Sequence, residues 1–187
     1  MESKRRNLID AAKTLLWETG YESMSPRRVL ATSGAGQGSM YHHFTGKEDL
    51  AATALDETTS EMIAAFDALF DDALPPLARI ARYLELERDG TARCRLGRLA
   101  NERAVQEGPL RLPLERYFEH VERRITKALK EAAKDGALGD GVKPRKTAAA
   151  LVAAVQGGYV LSLAHNDPGY VGRATSGALA LLKAAAP

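Results

Sequence analysis

The segment from Ser23 to Lys47 combines positive charge with polar side chains and contains no Asp or Glu. The side chains in it that we predict to hydrogen-bond to a base edge or a phosphate are Ser25, Arg27, Arg28, Gln37, Ser39, Tyr41, His42 and Lys47. A side-chain amide such as that of Gln37 can pair with adenine through two hydrogen bonds, and Arg and Lys attract phosphates. This composition predicts a surface for a polyanion, although a solvated pair of helices that lacks acidic residues has the same composition.

Side chains suited to catalysis or metal binding form no recognisable pattern. His42 and His43 are adjacent, so they point in different directions on a helix, and His120 and His165 are isolated. The glycine-rich segment 34–38 follows no predicted strand, which argues against a dinucleotide-binding fingerprint. We therefore predict no catalytic residue, no metal site and no cofactor, and we keep an enzyme as the main alternative from another functional class.

The 187 residues carry a net charge of only +2, so a role in DNA binding must rest on where the charges lie. Cys94 is the only cysteine, which fits a reducing cytoplasm, and no signal-peptide core follows the basic N-terminus. The stretch from Thr147 to Ala164 is uncharged and approaches the length of a transmembrane helix. Its many Ala and Gly residues and Gln156 favour a helix buried among protein neighbours, so we expect a cytoplasmic protein without a membrane partner.

Helical periodicity runs through the chain, and no alternating β-branched run predicts a strand. Glycine tolerates the left-handed backbone after a helix end, so Gly20 is expected to end the first helix. Thr45 and Glu48 have the spacing of a capping box at the start of the fourth helix. The predicted helices are Ser3 to Thr19, a short helix capped by Ser25, Gln37 to His43, Lys47 to Ala73, Leu77 to Arg88, Leu96 to Glu107, Pro113 to Lys134, Pro144 to His165 and Tyr170 to Ala185. We therefore predict an all-α fold of about nine helices.

The first three predicted helices have the layout of a helix-turn-helix. In this motif two short helices joined by a glycine-containing turn pack on a longer helix, and the second short helix fits the major groove of DNA. That recognition helix corresponds to residues 37–43, with Met40 and Phe44 turned inward. Gly38 lowers the stability of this helix but permits close approach to DNA.

The order of residues in this region carries more information than its composition. The informative segments are Gly34 to Leu50, with Tyr41-His42-His43-Phe44 followed by Lys47-Glu48-Asp49-Leu50, and upstream Ile9 to Ala12, Leu15-Leu16, Gly20-Tyr21, Ser25 and Val29. This order closely resembles the signature of the TetR family of transcriptional regulators. Leu30, Ser33, Ala35 and Gly36 depart from the family pattern, and Gly36 replaces the usual Ser or Thr cap of the recognition helix. A looser recognition helix is therefore expected in the free protein.

The resemblance implies a homodimeric DNA-binding regulator, usually a repressor that a small-molecule effector releases from a palindromic operator. It covers about the first 50 residues. We predict an N-terminal helix-turn-helix DNA-binding domain over residues 1–50 and a C-terminal helical bundle for effector binding and dimerisation over residues 51–187. A helical protein-interaction module without DNA binding and a transcriptional activator are the alternatives.

Aromatic and soft side chains on the middle helices are candidates for the effector site, because small-molecule pockets combine apolar walls with a few polar groups. The candidates are Met62, Phe66, Phe70, Tyr83, Cys94, Tyr117, Phe118, Gln156 and Tyr159. They predict a largely apolar effector, although each of them also suits an ordinary core position. A redox role for Cys94 competes with its use as a small buried apolar group. The segment from Cys94 to Glu102 resembles a segment found in one TetR subgroup.

The last two predicted helices suit a dimer interface. Their small residues permit close helix contact and their larger apolar residues add area; these are Ala148, Ala149, Leu151, Ala153, Ala154, Val155, Gly157, Gly158, Leu179, Leu181 and Leu182. Two such helices from each subunit would form a four-helix bundle. We also expect the long fourth helix to link effector binding to the spacing of the two recognition helices.

Overall fold

The computed structural model describes residues 2–185, and this part of the chain consists of α-helices, two 3-10 turns and connecting segments, with no β-strand. The helices are α1 (Glu2–Ser23), α2 (Pro26–Ser33), α3 (Gln37–His43), α4 (Lys47–Leu69), α5 (Pro76–Leu84), α6 (Arg103–Glu107), α7 (Arg111–Lys134), α8 (Pro144–His165) and α9 (Tyr170–Ala184). The 3-10 turns are Gly90–Ala92 and Leu99–Asn101. The predicted all-α fold class is therefore confirmed.

Local sequence signals place the ends of the first helices. Gly20 interrupts α1 at the predicted helix stop, with a φ of 84° and a ψ of 172°, but the helix resumes after this kink and ends at Ser23 and not at Thr19. The Ser25 hydroxyl accepts a hydrogen bond from the backbone N–H of Arg28, and Pro26 occupies the first position of α2. Gly34 ends α2 in the left-handed conformation, with a φ of 65°.

The predicted capping box at the start of α4 is wrong by one position. The backbone N–H of Leu50 bonds to the carbonyl oxygen of Gly46, so Gly46 and not Thr45 is the last residue before the helix. The third helical residue is then Asp49, not Glu48. One Asp49 carboxylate oxygen accepts bonds from the Thr45 N–H at 2.8 Å and from the Thr45 hydroxyl at 3.2 Å.

Two helices end earlier than predicted. In each case a side chain hydrogen-bonds to a backbone group near the end of the helix. α4 ends at Leu69 and not at Ala73, since the Asp71 carboxylate accepts from the Ala73 N–H at 2.9 Å and offers the backbone an alternative to the helix. α5 ends at Leu84 because Arg88 donates to the carbonyl oxygen of Tyr83 at 2.6 Å.

The predicted helix from Leu96 to Glu107 is wrong. This segment contains only the turn Leu99–Asn101 and the five-residue α6, and Glu102 between them has an extended backbone with φ −81° and ψ 128°. Leu96 and Leu99 are fully buried. Their three-residue spacing, which the prediction assigned to an α-helix, is equally compatible with a 3-10 turn.

The described chain forms two compact units that are not continuous in sequence. The first contains residues 2–62 and 95–117, and the second contains residues 63–94 and 118–185. The core of the first is built from apolar faces of α1, α2, α3 and α4 together with Leu96, Leu99 and Leu110. The functional division predicted after residue 50 stays a prediction.

Helices α8 and α9 pack against each other within the second unit. An added Cβ at Gly158 would lie 2.7 Å from the Cα of Val171, so the two backbones approach closely at this glycine. Within residues 2–185, α8 is the one helix long and apolar enough to cross a membrane, by length and composition alone. A core helix of a soluble protein passes the same test, so this property does not assign α8 to a membrane.

Candidate DNA-binding surface and effector region

The recognition helix α3 is held by apolar side chains on its inner face. Met40 is fully buried, Phe44 directly after the helix is 3% exposed, and both belong to the core of the first unit together with Val29 of α2. The sequence analysis predicted these inward positions for Met40 and Phe44, and the burial confirms them. The helical period then directs the intervening side chains outward.

The outer face of α3 presents the polar residues predicted to bind DNA. Gln37 and His42 are exposed, Tyr41 is 54% exposed, and Ser39 is half-buried. Gly36 precedes α3 with an extended backbone and contributes no side-chain cap. The seven-residue helix therefore depends mainly on its buried contacts, since helices of this length are marginal in isolation.

The predicted basic residues differ in how far they are engaged within the protein. Arg27 is exposed on α2. The guanidinium of Arg28 donates to the hydroxyl of Thr19 at 3.2 Å and to the carbonyl oxygen of Ser23 at 3.0 Å. Ser25 is half-buried because its hydroxyl caps α2.

Lys47, at the start of α4, is half-buried against the last turn of α1. Its Nζ lies 3.5 Å from the carbonyl oxygen of Glu22 and 4.2 Å from the centre of the Tyr21 ring. Burial lowers the pKa of Lys47, while the charges of Glu102 and Glu22 raise it. The ammonium group is thus partly occupied in the protein itself.

Three effector candidates form one aromatic cluster in the second unit. Phe66 stacks on Phe70 at 5.0 Å between ring centres and meets the Tyr83 ring edge-on at 5.3 Å. All three are buried. His120, which the sequence analysis treated as isolated, also meets Phe66 at 6.0 Å.

His120 is held in place by charged neighbours. Its Nε2 lies 2.9 Å from a carboxylate oxygen of Asp67, and its Nδ1 lies 3.0 Å from a guanidinium nitrogen of Arg123. Arg123 is three residues further along α7, a spacing visible in the sequence, whereas the contact with Asp67 spans 53 residues and has no local signal. No group of three or more His, Cys, Asp or Glu side chains in the described residues could hold a metal ion.

Tyrosines 83 and 159 lie in a common electrostatic environment near Arg88. Burial raises the pKa of Tyr83 to about 12 and also raises the pKa of Tyr159, and the charge of Arg88 opposes the shift at both. The Arg88 guanidinium lies 5.0 Å from the centre of the Tyr83 ring. Arg88 is not among the predicted effector residues, because these are aromatic and soft side chains on the middle helices.

Among the remaining effector candidates, Cys94 lies near both tyrosines, since its electrostatic interaction raises the pKa of Tyr83 and of Tyr159. Cys94, Phe118 and Gln156 are half-buried residues of the second unit. Met62 and Tyr117 belong to the first unit, where they pack against its apolar core. The roles predicted for these residues stay predictions.

An apolar groove of about 930 Å³ runs along α8 and α9. It is lined by Ala150 and Ala154 of α8 and by Ala178 and Leu181 of α9, with Lys146 near one end. Leu181 is 76% exposed.

The residues predicted to form the dimer interface divide into two groups. Ala148, Leu151, Val155, Gly158, Leu179 and Leu182 are buried within the unit. Ala149, Ala153 and Leu181 are exposed, and Ala154 and Gly157 are half-buried. Only the second group, with exposed Val160 and Leu161, can offer substantial surface to a partner.

Both parts of the chain match known families. Residues 8–54 match the family described as bacterial regulatory proteins of the tetR family, and residues 76–178 match the tetracyclin repressor-like C-terminal domain. The first match contains the whole helix-turn-helix. The second covers more than half of the chain, including Tyr83 of the aromatic cluster and most of the groove.

Individual relatives and solved structures agree. The chain is 29% identical over 140 residues to the transcriptional regulator AcuR of Cereibacter sphaeroides, covering 71% of this chain and 64% of AcuR. It is 27% identical over 78 residues to the transcriptional repressor KstR2 of Mycolicibacterium smegmatis, covering 42% of this chain and 38% of KstR2. A TetR-family regulator from Agrobacterium tumefaciens has the same fold, with a TM-score of 0.84, 24% identity and coverage of 97% and 98% of the two chains. The chain belongs to the TetR family of DNA-binding transcriptional regulators.

Proposed function

We propose that the protein is a cytoplasmic, homodimeric repressor that binds a palindromic operator and is released from it by a small, largely apolar molecule. The surface of α3 carries this proposal. Met40 fixes the helix from inside while Gln37, Tyr41 and His42 face outward, and the segment 23–47 that contains them has no Asp or Glu. A short helix with polar side chains on its outer face suits direct reading of base edges.

Within this surface each predicted residue has a distinct role. Gln37, at the start of α3, reads a base, with adenine as the partner that suits a side-chain amide. Ser39 and Tyr41 donate to phosphate, His42 reaches a base or a phosphate, and Arg27 binds phosphate. The side chains of Ser25, Arg28 and Lys47 each bind a backbone group of the protein itself. They support DNA binding by stabilising that backbone and by contacting DNA directly.

The aromatic cluster is the proposed effector site. Phe66, Phe70 and Tyr83 supply apolar walls, and Tyr159 with Arg88 supplies polar groups, so a mainly apolar molecule with one polar end fits the chemistry. Phe66 belongs to α4, which begins at Lys47 after the recognition helix. An effector that displaces Phe66 would therefore act on the helix that follows the DNA-binding motif.

The groove along α8 and α9 is the proposed dimer surface, since exposed apolar patches of this kind mark association sites. A two-fold dimer places two identical recognition helices about one DNA turn apart, which matches the symmetry of a palindrome. We propose no catalytic role for the chain.

The first experiment is a selection of genomic DNA fragments by the purified protein, followed by fluorescence anisotropy on the recovered duplex with non-specific competitor. Gln37→Ala should weaken binding to the recovered duplex by about 1–3 kcal/mol and leave binding to a random duplex nearly unchanged. Arg27→Ala should weaken binding to both duplexes and reduce the salt slope by about 1. Arg145→Ala, which removes the same charge from an exposed position of α8, is the control and should change neither.

Other outcomes would contradict specific parts of the proposal. Binding of the wild-type protein that is no tighter than to random DNA would contradict operator recognition. Transcription from the recovered promoter that rises on adding the protein would indicate an activator. Leu181→Asp should produce monomers in analytical ultracentrifugation, whereas Leu112→Asp, at a position that is 61% exposed on α7, should not; an unchanged dimer in the first variant would contradict the proposed interface.

A further inference from the structure

The last turn of α1, residues 20–23, which begins at the kink at Gly20, is bound by a carboxylate from a distant part of the chain. One oxygen of Glu102 accepts from the backbone N–H of Tyr21 at 3.2 Å, and the other accepts from the N–H of Glu22 at 2.7 Å. Both oxygens are therefore engaged by successive N–H groups. Hydrogen bonds from backbone donors to a carboxylate are stronger than those between neutral groups.

Gly20 provides the space for this contact. Its φ of 84° lies in a region that favours glycine. An added Cβ would overlap a carboxylate oxygen of Glu102 and would lie 3.0 Å from the carboxylate carbon. The glycine that forms the kink of α1 thus also admits the carboxylate against the backbone.

The same turn is tied to the helices that flank the recognition helix. Arg28 of α2 donates to the carbonyl oxygen of Ser23 at 3.0 Å. Lys47 of α4 lies 3.5 Å from the carbonyl oxygen of Glu22 and over the Tyr21 ring. Because α3 lies between α2 and α4 in the chain, the geometry of this turn affects how α3 is presented.

The segment 95–102, which ends at Glu102, makes further contacts with α1. Arg95 stacks over the Trp17 ring at 4.0 Å, and Arg98 donates to the Trp17 carbonyl oxygen. Leu96 and Leu99 are buried in the core shared with α1. Residues 95–102 therefore contact the C-terminal part of α1 at Trp17 and, through Glu102, at Tyr21 and Glu22.

We propose that Glu102 is a positioning residue for DNA binding. Its carboxylate holds the N–H groups of Tyr21 and Glu22 and thereby fixes the orientation of α2 and α3 relative to α1, without touching DNA itself. The inference rests on the DNA-binding function of the family and extends it to a residue outside the helix-turn-helix.

The sign of the effect separates this role from simple electrostatics. Removal of a carboxylate from a DNA-binding unit reduces repulsion of phosphates, so charge alone predicts stronger binding. Removal of a positioning group predicts weaker binding. Glu107→Gln, which neutralises an exposed residue of α6 paired only with Arg103 among the ion pairs described, measures the effect of charge alone.

The test compares wild type, Glu102→Ala, Glu102→Gln and Glu107→Gln on the duplex recovered by the wild-type protein and on a random duplex. Glu102→Ala should bind the recovered duplex at least tenfold more weakly, with an unchanged salt slope and a smaller change on the random duplex. Glu102→Gln keeps one acceptor and should give an intermediate loss. Glu107→Gln should bind as well as wild type or slightly better.

Amide hydrogen exchange shows whether the contact acts locally. In Glu102→Ala the amides of Tyr21 and Glu22 should exchange faster, while those in the centre of α1 keep their protection. If Glu102→Ala is poorly folded, Glu102→Gln carries the comparison, with affinities corrected for the folded fraction from urea denaturation.

Two results would overturn the proposal. In one, the amides exchange faster but the affinity for the recovered duplex equals that of wild type, so the contact is only structural. In the other, the amides of Tyr21 and Glu22 stay protected without the carboxylate. A wild-type protein that recovers no preferred duplex would contradict the proposed operator. The role of Glu102 is then tested on the random duplex, to which Glu102→Ala should still bind more weakly than Glu107→Gln.

Discussion

Substitution of Gly158 by alanine should reveal how closely α8 and α9 are required to pack. An added Cβ would lie 2.7 Å from the Cα of Val171, well inside the roughly 3.5–4.0 Å of an ordinary carbon–carbon contact. Further atoms of Val171 and Ala174 lie at 3.2 and 3.3 Å. A backbone atom cannot rotate away as a side chain can, so the two helices would have to separate.

The adjacent Gly157 provides a matched control because nothing lies within 4 Å of its added Cβ. Both substitutions gain about 0.5–1 kcal/mol of helix stability relative to glycine. Only Gly158→Ala adds an overpacking cost of about 1–3 kcal/mol. The gain in helix propensity cancels in the comparison, so Gly158→Ala should be less stable than Gly157→Ala by about 1–3 kcal/mol.

Urea denaturation followed by far-UV circular dichroism at one fixed protein concentration measures this difference. Fluorescence is less suitable, because the single tryptophan, Trp17, belongs to the first unit and Gly158 belongs to the second. Fixed concentration matters because dimerisation shifts the apparent stability. Equal stability of the two alanine variants would refute the reasoning, since it would mean that α8 and α9 separate at no cost.

Two further predictions concern the recognition helix and the aromatic cluster. Gly38→Ala should stabilise the free protein by up to about 1 kcal/mol, because the added Cβ meets no atom within 4 Å. It should weaken DNA binding if the α3 backbone approaches the major groove closely. Urea denaturation and anisotropy on the same sample measure the stability and the affinity, and equal or tighter DNA binding would contradict close approach. Burial raises the pKa of Tyr83 to about 12, so the unfolded chain loses this proton first and the stability present below pH 10 should fall between about pH 10 and 12. Tyr83→Phe should make this fall less steep, with Tyr170→Phe as the control, and identical pH profiles of the free energy of unfolding would contradict the assigned burial.

Local signals allowed much of the fold to be predicted. The bounds of α8 are as predicted because Pro144 occupies its first position and Asn166 ends it in the left-handed conformation, with a φ of 49°. The inward positions of Met40 and Phe44 follow from the helical period of a short segment. Both kinds of signal depend only on residues a few positions apart, so they can be recognised without knowledge of the tertiary structure.

Contacts between distant residues account for the main error. The segment 96–107 has the apolar spacing of a helix, but Glu102 bonds to N–H groups about 80 positions earlier in the chain. No local pattern identifies that partner. The same limitation applies to the effector candidates: composition selected Met62 and Tyr117 along with Phe66, and only the tertiary structure assigns the first two to the core of another unit.

The recognition helix itself explains why such distant contacts matter for DNA binding. α3 has seven residues, no side-chain cap at its start and a glycine at its second position, so little of its stability is local. Its geometry must therefore come from what packs behind it, namely Met40 and Phe44 in the core and the neighbouring helices α2 and α4, which contact the last turn of α1. Substitutions that leave every DNA-facing side chain in place, such as those at Glu102, are for this reason expected to change specificity, and a mutational scan confined to the surface of α3 would miss them.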